Sequence, residues 1–324
     1  MDMRARRMDW DVIERDKYGR VVSLTAWSRE ASDIRPAIFL VPVDGSLASL
    51  TALNVALRLA DQRPNAELHV LNVQVLGADD ALDDSVERQG LQETEEVREF
   101  LAMNQVHYQL HIATGAPAQV IRDYARTHNV AEIVIGSHGR GYFEQFLLGS
   151  VAMDVLSHVL IPVTLVKSSD RLGSFPAEWV NWLVPCDGSA AALRAVRYVI
   201  RHVSQMENKP NVHLLNVKPY GTAEVARPLA MDWAVPQAAP GRGWASTADC
   251  LDNAISLLET AKLRFDAHVG VGDAASKILD AIEQYGCGHI AMGSRGLGAL
   301  GGIVWGSVSQ SVVQRAAIPV TLVK

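Results

Sequence analysis

The sequence predicts an α/β fold made of two doubly wound, five-stranded parallel-sheet domains. The first observation is a repeat, because Ile-Pro-Val-Thr-Leu-Val-Lys stands at residues 161–167 and returns 157 positions later at 318–324. The second is that short apolar runs alternate with segments whose apolar residues follow helical spacing. Strands separated by helices pair in parallel, because each helix carries the chain back across one face of the sheet. The 324 residues give room for two such domains.

The first repeat begins with an apolar run at 37–43, which is typical of a strand buried on both faces. Leu50, Leu53 and Leu57 then follow at helical spacing. The same reasoning predicts a helix at 120–127 and a final helix before the last strand. The remaining strands of this repeat are expected at 68–73, 108–113, 132–135 and 163–166.

The second repeat follows the same order, with an apolar run at 183–186 and helical spacing at Leu193, Val196 and Ile200. A further helix is expected at 277–284. The other strands are expected at 212–217, 265–269, 289–292 and 320–323. Additional residues at 219–244, rich in Pro, Gly and Ala, predict an irregular excursion.

These boundaries predict four segments along the chain. An N-terminal extension at 1–33 has no counterpart in the second repeat, and the first domain is expected at 34–168. A linker at 169–178 leads to the second domain at 179–324.

Composition excludes several classes of function. The net charge is −6, and the short basic stretch at 4–7 is flanked by acidic residues, which argues against a nucleic-acid partner. The N-terminus lacks the apolar stretch of a signal peptide, and no apolar run is long enough to span a membrane. The three cysteines lack CxxC spacing, so we expect neither a disulfide framework nor a metal site. We therefore expect a cytoplasmic protein that binds neither nucleic acid nor membranes.

Each repeat carries the motif Gly-x2-Gly-x9-Gly-Ser. Its members are Gly136, Gly139, Gly149 and Ser150 in the first repeat, and Gly293, Gly296, Gly306 and Ser307 in the second. Backbone N–H groups of such loops and of a helix N-terminus hold anions, and the serines are suited to cap the helix. The alternative is that the glycines only permit tight turns between strand and helix.

Other motifs for phosphate binding or catalysis are weaker. A P-loop is absent from the sequence, and the GxGxxG match at 296–301 is followed by no Asp or Glu up to the C-terminus. His138 and Arg295 could face either a phosphate or solvent. Ser137 and His138 are adjacent in sequence, which argues against a catalytic pair. His69 and His213 recur at matching positions, where we expect strand packing rather than ligand binding.

Both repeats resemble the universal stress protein family, whose ATP-binding members carry this glycine motif after a strand that ends in Asp. Asp44 and Asp187 meet that condition. The resemblance covers about residues 36–167 and 180–324. It implies Rossmann-like, adenine nucleotide alpha hydrolase-like domains related by pseudo-twofold symmetry. It also implies that the two fifth strands pair within one chain. Whether two tandem chains also form a homodimer is left undecided.

The resemblance further implies that each domain binds ATP, with or without Mg²⁺, in a crevice at the carboxyl ends of its strands. It also implies a role in the regulation of stress responses. Asp44 and Asp187 would lie near the nucleoside, and Val73 and Val217 would offer backbone contacts to adenine. Ribose and phosphates would be held by the motif residues already named and by the next residues along, Val151 and Val308. Two alternatives remain, which are slow ATP hydrolysis and carriage of an apolar ligand beneath the excursion. Each site offers a single Asp and no second carboxylate, which argues against an enzyme.

Overall fold

The computed structural model describes residues 10, 12–15, 21–27, 36–63, 65–75, 83–139, 148–168, 181–206, 209–219, 233–234, 245–294 and 306–324. The chain divides into two compact units. The first comprises residues 1–143 and 149–159, and the second comprises 144–148 and 160–324.

The first unit is a sheet with helices, and its described strands run in the order β1-β2-β5-β4-β3-β6. Its elements are β1 Val12–Arg15, β2 Val21–Trp27, β3 Ala37–Val43, α1 Leu47–Asp61, β4 Ala66–Gln74, α2 Asp83–Glu93, α3 Glu95–Met103, β5 Tyr108–Thr114, α4 Pro117–Thr127, β6 Glu132–Gly136 and α5 Ser150–His158. Strands β5, β4, β3 and β6 pair in parallel, as the alternation of strand and helix predicts.

The centre of this sheet explains the apolar runs in the sequence. Phe39, Leu40 and Val41 of β3 are fully buried, which requires helices on both faces of the strand. Helix α1 begins where Ser46 accepts a hydrogen bond on its hydroxyl from the Ser49 backbone N–H, at 3.3 Å. The α/β class that the sequence predicts is confirmed.

The N-terminal extension contributes two strands that sequence analysis did not predict. Strand β1 pairs antiparallel with β2, and β2 pairs antiparallel with β5, so that Leu24 lies opposite Ile112. An edge strand has unpaired N–H and C=O groups, and β2 satisfies those of β5. The described part of the extension therefore completes the sheet of the first unit.

The second unit repeats the pattern, and its described strands run in the order β7-β13-β12-β8-β9-β11-β10. Its elements are β7 Val163–Val166, β8 Asn181–Pro185, α6 Ala190–Val203, β9 Asn211–Lys218, β10 Trp233–Ala234, α7 Ala245–Thr260, β11 Phe265–Val271, α8 Ala274–Gln284, β12 His289–Gly293, α9 Ser307–Arg315 and β13 Val320–Val323. Most of the excursion lies outside the described residues, but β10 within it pairs antiparallel with β11.

The fifth strands of the two repeats pair with each other, as predicted. Strands β7 and β13 are antiparallel, with Thr164 directly opposite Thr321. Both threonines are fully buried, and their hydroxyl oxygens are 2.6 Å apart. The identical sequence of the two strands lets each present the same groups to the other.

No helix within the described ranges combines the length and the apolarity that a membrane span requires.

Buried histidines occupy matching places beneath helices α4 and α8. In the first unit, the Tyr124 hydroxyl lies between His69 and His111, within 2.7 Å of His69 Nδ1 and in hydrogen-bond contact with His111 Nε2. Burial, together with the nearby His69 and His128, lowers the pKa of His111 to about 3. The folded protein therefore keeps this ring neutral at pH values where the unfolded chain protonates it.

We expect the free energy of unfolding to fall as the pH falls below the ordinary histidine value of 6.5. Because the folded pKa is lowered, the stabilisation is complete above pH 6.5 and declines toward pH 3. Protonation of His111 alone should lower the free energy of unfolding by about 2 kcal/mol between pH 7 and pH 5. Urea unfolding at both pH values measures this, and His111→Gln should reduce the difference. His107→Gln, at an exposed position, is the control. An equal pH dependence in all three proteins would contradict the assignment.

Candidate functional site

A cavity of about 250 Å³ opens in the first unit at the carboxyl ends of β3, β4 and β6. Parallel sheets bind ligands at this edge, because the loops that leave the strands converge there. All seven residues predicted for the first repeat line the cavity, namely Asp44, Val73, Gly136, Gly139, Gly149, Ser150 and Val151. Its volume is near the lower end of the range for small-molecule pockets, about 300–1,000 Å³.

Asp44 is held in place by the loop that follows β3. Its Oδ1 atom accepts hydrogen bonds from the backbone N–H of Ser46 at 3.0 Å and from the Ser46 hydroxyl at 2.6 Å. Gly45 between them has φ +73°, a conformation that favours glycine. A Cβ atom on Gly139 would lie 2.7 Å from Asp44 Oδ2, so the second glycine of the motif leaves space for this carboxylate.

Gly136 serves the packing of helix on strand. A Cβ atom there would lie 2.9 Å from both the carbonyl carbon and the Cβ of Ala48 in α1. Any side chain would push the helix away from the sheet, which is the tight-packing role that the sequence left open. This role and a place in the cavity wall are compatible, because Gly136 has both.

Gly149 is the N-cap of helix α5, and this corrects one expectation. The residue before the helix is Gly149 rather than Ser150, with φ −61° and ψ 149°. Its N–H donates to the Ser137 carbonyl at 2.7 Å, and its carbonyl accepts from the Met153 N–H at 2.9 Å. Ser150 is therefore the first helical residue and not the cap. The same holds for Gly306 and Ser307 at helix α9.

The start of α5 presents backbone N–H groups to the cavity. Ser150, Val151 and Ala152 precede the first N–H that bonds within the helix, that of Met153. All three residues line the cavity. Because Gly149 has no side chain to cap them, these groups are suited to an anion.

The opposite part of the cavity wall is apolar, and sequence analysis missed it. Pro117 and Ile121 come from helix α4, one turn apart, at its start next to the carboxyl end of β5. The sequence signal that could have predicted this wall was the i, i+4 spacing of Pro117 and Ile121, directly after Gly115. The strands supply the other apolar residues of this wall, which are Pro42, Val43, Leu71, Val73 and Ile135.

Ser137 and His138 also line the cavity. The Ser137 hydroxyl lies 2.9 Å from His138 Nδ1, so the two adjacent side chains do hydrogen bond to each other. Adjacent side chains rarely point at each other, but these two do, and the contact by itself does not make them a catalytic pair. His138 therefore lies on the cavity side of its loop, whereas its counterpart Arg295 lies outside the described residues.

The second unit repeats the local geometry around the predicted residues. The Ser189 N–H donates to Asp187 Oδ1 at 2.9 Å, and the Gly306 N–H donates to the Ser294 carbonyl at 3.1 Å. A Cβ atom on Gly293 would lie 2.8 Å from Ala191, as one on Gly136 would meet Ala48. Val217 and Val308 are half-buried and Ser307 is exposed, as are their counterparts Val73, Val151 and Ser150. Gly296 lies outside the described residues.

The loop that follows β8 in the second unit has a helix as its neighbour. A Cβ atom on Gly188, which has φ +82°, would lie 3.3 Å from the Cα of Cys250 in helix α7. The Cys186 thiol lies 3.8 Å from the Cys250 carbonyl oxygen. Helix α7 therefore packs directly on this loop.

Comparisons with known proteins identify the family of the chain. The model of the universal stress protein family matches residues 37–167 and 181–324. Universal stress protein YxiE of Bacillus subtilis is 31% identical over 144 residues, which cover 40% of this chain and 97% of the relative. Universal stress protein Rv2623 of Mycobacterium tuberculosis is 26% identical over 225 residues, which cover 68% of each chain.

Among solved structures, a universal stress protein from Archaeoglobus fulgidus superposes with a TM-score of 0.64 at 24% identity. The match covers 90% of this chain and 99% of that chain, and it supports the fold. Because the family model matches both repeats nearly from end to end, the chain belongs to the universal stress protein family, as a tandem member with two such domains.

Proposed function

We propose that the protein binds ATP in the cavity of the first domain. The observation that carries the proposal is the convergence of Asp44, Val73, the three glycines of the motif and the start of α5 on one cavity. These residues come from four separate parts of the chain. Packing alone requires Gly136 in this way, but it does not require the others to share a cavity.

The chemistry of the cavity suits each part of an adenine nucleotide. The apolar wall that includes Leu71, Val73 and Ile121 offers a surface for a purine ring. The Asp44 carboxylate, fixed by Ser46, can accept a hydrogen bond from a ribose hydroxyl. The N–H groups at the start of α5 suit the phosphates.

We extend the proposal to the second domain, because Asp187, Gly293 and Gly306 keep the same backbone contacts. We therefore expect two sites per chain.

The biological role that fits this proposal is regulation in stress responses through nucleotide-dependent changes of conformation or of partners. Such a protein retains its nucleotide rather than turning it over. Single-turnover measurements with radiolabelled ATP distinguish retention from slow hydrolysis.

Asp44→Ala should weaken ATP binding to the first site about tenfold or more, since the variant loses the fixed acceptor for the ribose. Isothermal titration calorimetry of the full chain measures this change, and the parent should show two sites. Asp61→Ala, at the exposed end of α1, removes the same charge away from the cavity and should bind like the parent.

A parent chain that binds no ATP at millimolar concentration would overturn the proposal. An equal loss in Asp44→Ala and Asp61→Ala would show that charge, and not the position of the carboxylate in the cavity, governs binding.

A further inference from the structure

A second cluster of polar side chains lies in the second domain, on strands β9 and β11. His213 Nδ1 lies 3.0 Å from His268 Nε2 and 3.8 Å from Asp266 Oδ2. The three ligand atoms all lie within 4.8 Å of one another. The motif residues of the nucleotide proposal lie at the carboxyl ends of the strands, whereas this cluster lies between their amino-terminal ends and their middle.

The sheet itself brings these groups together. Asp266 and His268 are two positions apart on β11, so both point to the same face. His213 on the parallel strand β9 pairs with Asp266 in the register and points to that face as well. The Tyr285 ring stacks on both imidazoles, with centroid distances of 4.8 Å to His213 and 4.1 Å to His268. The two rings are thus held side by side.

The first domain carries the same pair of histidines in a different arrangement. His69 and His111 occupy the matching strand positions, and the Tyr124 hydroxyl lies between them and bonds both. In the second repeat, Ala281 stands at the position of Tyr124. It has no hydroxyl to place between the imidazoles. Asp266 correspondingly stands where the first repeat has Gln109, so the second cluster gains a carboxylate.

The hydrogen bonding of His268 is incomplete. The residue is 3% exposed, and its Nδ1 atom is buried without a hydrogen-bond partner among the described residues. In the first domain, His111 is satisfied at both nitrogens, by Thr25 and Tyr124, whereas His69 has one buried nitrogen that makes no hydrogen bond and lies 3.5 Å from Glu67 Oε1. The His268 ring is therefore oriented by its contact with His213 and Tyr285 rather than by a complete hydrogen-bond network.

We propose that His213, Asp266 and His268 bind a divalent transition-metal ion of the Zn²⁺ class. Two imidazoles and one carboxylate are a ligand set that such ions prefer, whereas Mg²⁺ and Ca²⁺ prefer oxygen ligands. Zn–N bonds of about 2.1 Å place tetrahedral ligand atoms about 3.4 Å apart, between the two distances observed here. Asp266 is exposed, so the ion enters from solvent at this carboxylate and water completes its coordination. The three cysteines take no part in this site.

Titration of the chelator-treated full chain with Zn²⁺ tests the proposal, and Co²⁺ serves as the spectroscopic probe. We expect one ion per chain at this site, with visible absorption of tetrahedral Co²⁺. Asp266→Asn removes a ligand at an exposed position, where folding is little affected, and should weaken Zn²⁺ binding about tenfold or more. His111→Gln in the first domain is the matched control for His268→Gln. Only the latter should lose the ion.

Introducing the first-domain side-chain arrangement into the second domain gives an independent test. The double variant Ala281→Tyr with Tyr285→Ala places a hydroxyl between the imidazoles, as Tyr124 does in the first domain, and adds no further imidazole. It should lose Zn²⁺ binding while it keeps a cooperative thermal transition. Weak Zn²⁺ binding by the parent, at millimolar concentration only, would overturn the proposal. So would unchanged affinity in Asp266→Asn and His268→Gln.

Discussion

Gly149→Val is expected to abolish ATP binding in the first domain, with a loss of affinity of about 100-fold or more, equivalent to about 2.7 kcal/mol. A Cβ atom there would lie 3.2 Å from the Ser137 carbonyl oxygen. The two γ-methyl groups of valine would add further volume at the N-terminus of α5. The backbone itself is not strained by valine, because φ −61° and ψ 149° are open to any residue. The variant should therefore fold, and the effect should fall on the ligand.

Gly306→Val provides the reciprocal control, because Gly306 begins α9 as Gly149 begins α5. Equilibrium dialysis with ATP should give one site in either single variant and none in the double variant. Two sites in the double variant would refute both assignments, provided that its thermal transition matches the parent's.

Among the variants considered, the double variant Thr164→Lys with Thr321→Lys should lower the free energy of unfolding most. Both side chains are fully buried, directly opposite each other across the pairing of β7 with β13. Two like charges would replace a contact between hydroxyl groups, and each uncompensated buried charge costs about 3 kcal/mol or more. We expect β13 to lose β7 as its partner, with a lower urea midpoint.

Two controls separate charge from the loss of the hydroxyl contact. Thr164→Val removes one hydroxyl, while Thr321 keeps its contact with His289 Nε2 at 2.6 Å. The free energy of unfolding should therefore fall by only about 1 kcal/mol. Ser168→Lys adds a charge just beyond β7 at an exposed position and should be neutral. If the double lysine variant unfolds at the parent's urea concentration, the pairing of the fifth strands is not what stabilises this edge.

The core of the fold could be predicted because burial on both faces leaves a plain signal. Residues 37–43 form an apolar run that only a covered strand explains, and the repeat doubled that evidence. Strands β1 and β2 were missed because their pairing depends on the open edge of β5, which no local pattern records. Residues 21–27 are rich in strand-forming types, but the absence of a counterpart in the second repeat hid their role.

The site could be predicted only where the backbone demands a particular residue. Gly139 and Gly149 were found because a Cβ atom would lie 2.7 Å from Asp44 Oδ2 at the first position and 3.2 Å from the Ser137 carbonyl oxygen at the second. The apolar wall was missed because Pro117 and Ile121 look like ordinary helix residues until the fold brings α4 to the cavity. The cap at α5 was misassigned because serine usually caps helices, whereas the bond from Gly149 to Ser137 fixes the glycine in that role.

The central claim is that adenine nucleotide occupies the cavity beside Asp44. Photo-crosslinking of the full chain with 8-azido-ATP, followed by peptide mass spectrometry, tests it most directly. The account predicts label on the residues at the ends of β3 and β4, within 42–44 and 71–73, and at 185–187 and 215–217 in the second domain. Excess ATP should suppress that label, and Asp44→Ala should reduce it in the first domain only. Label confined to other segments, or label that ATP does not suppress, would contradict the account.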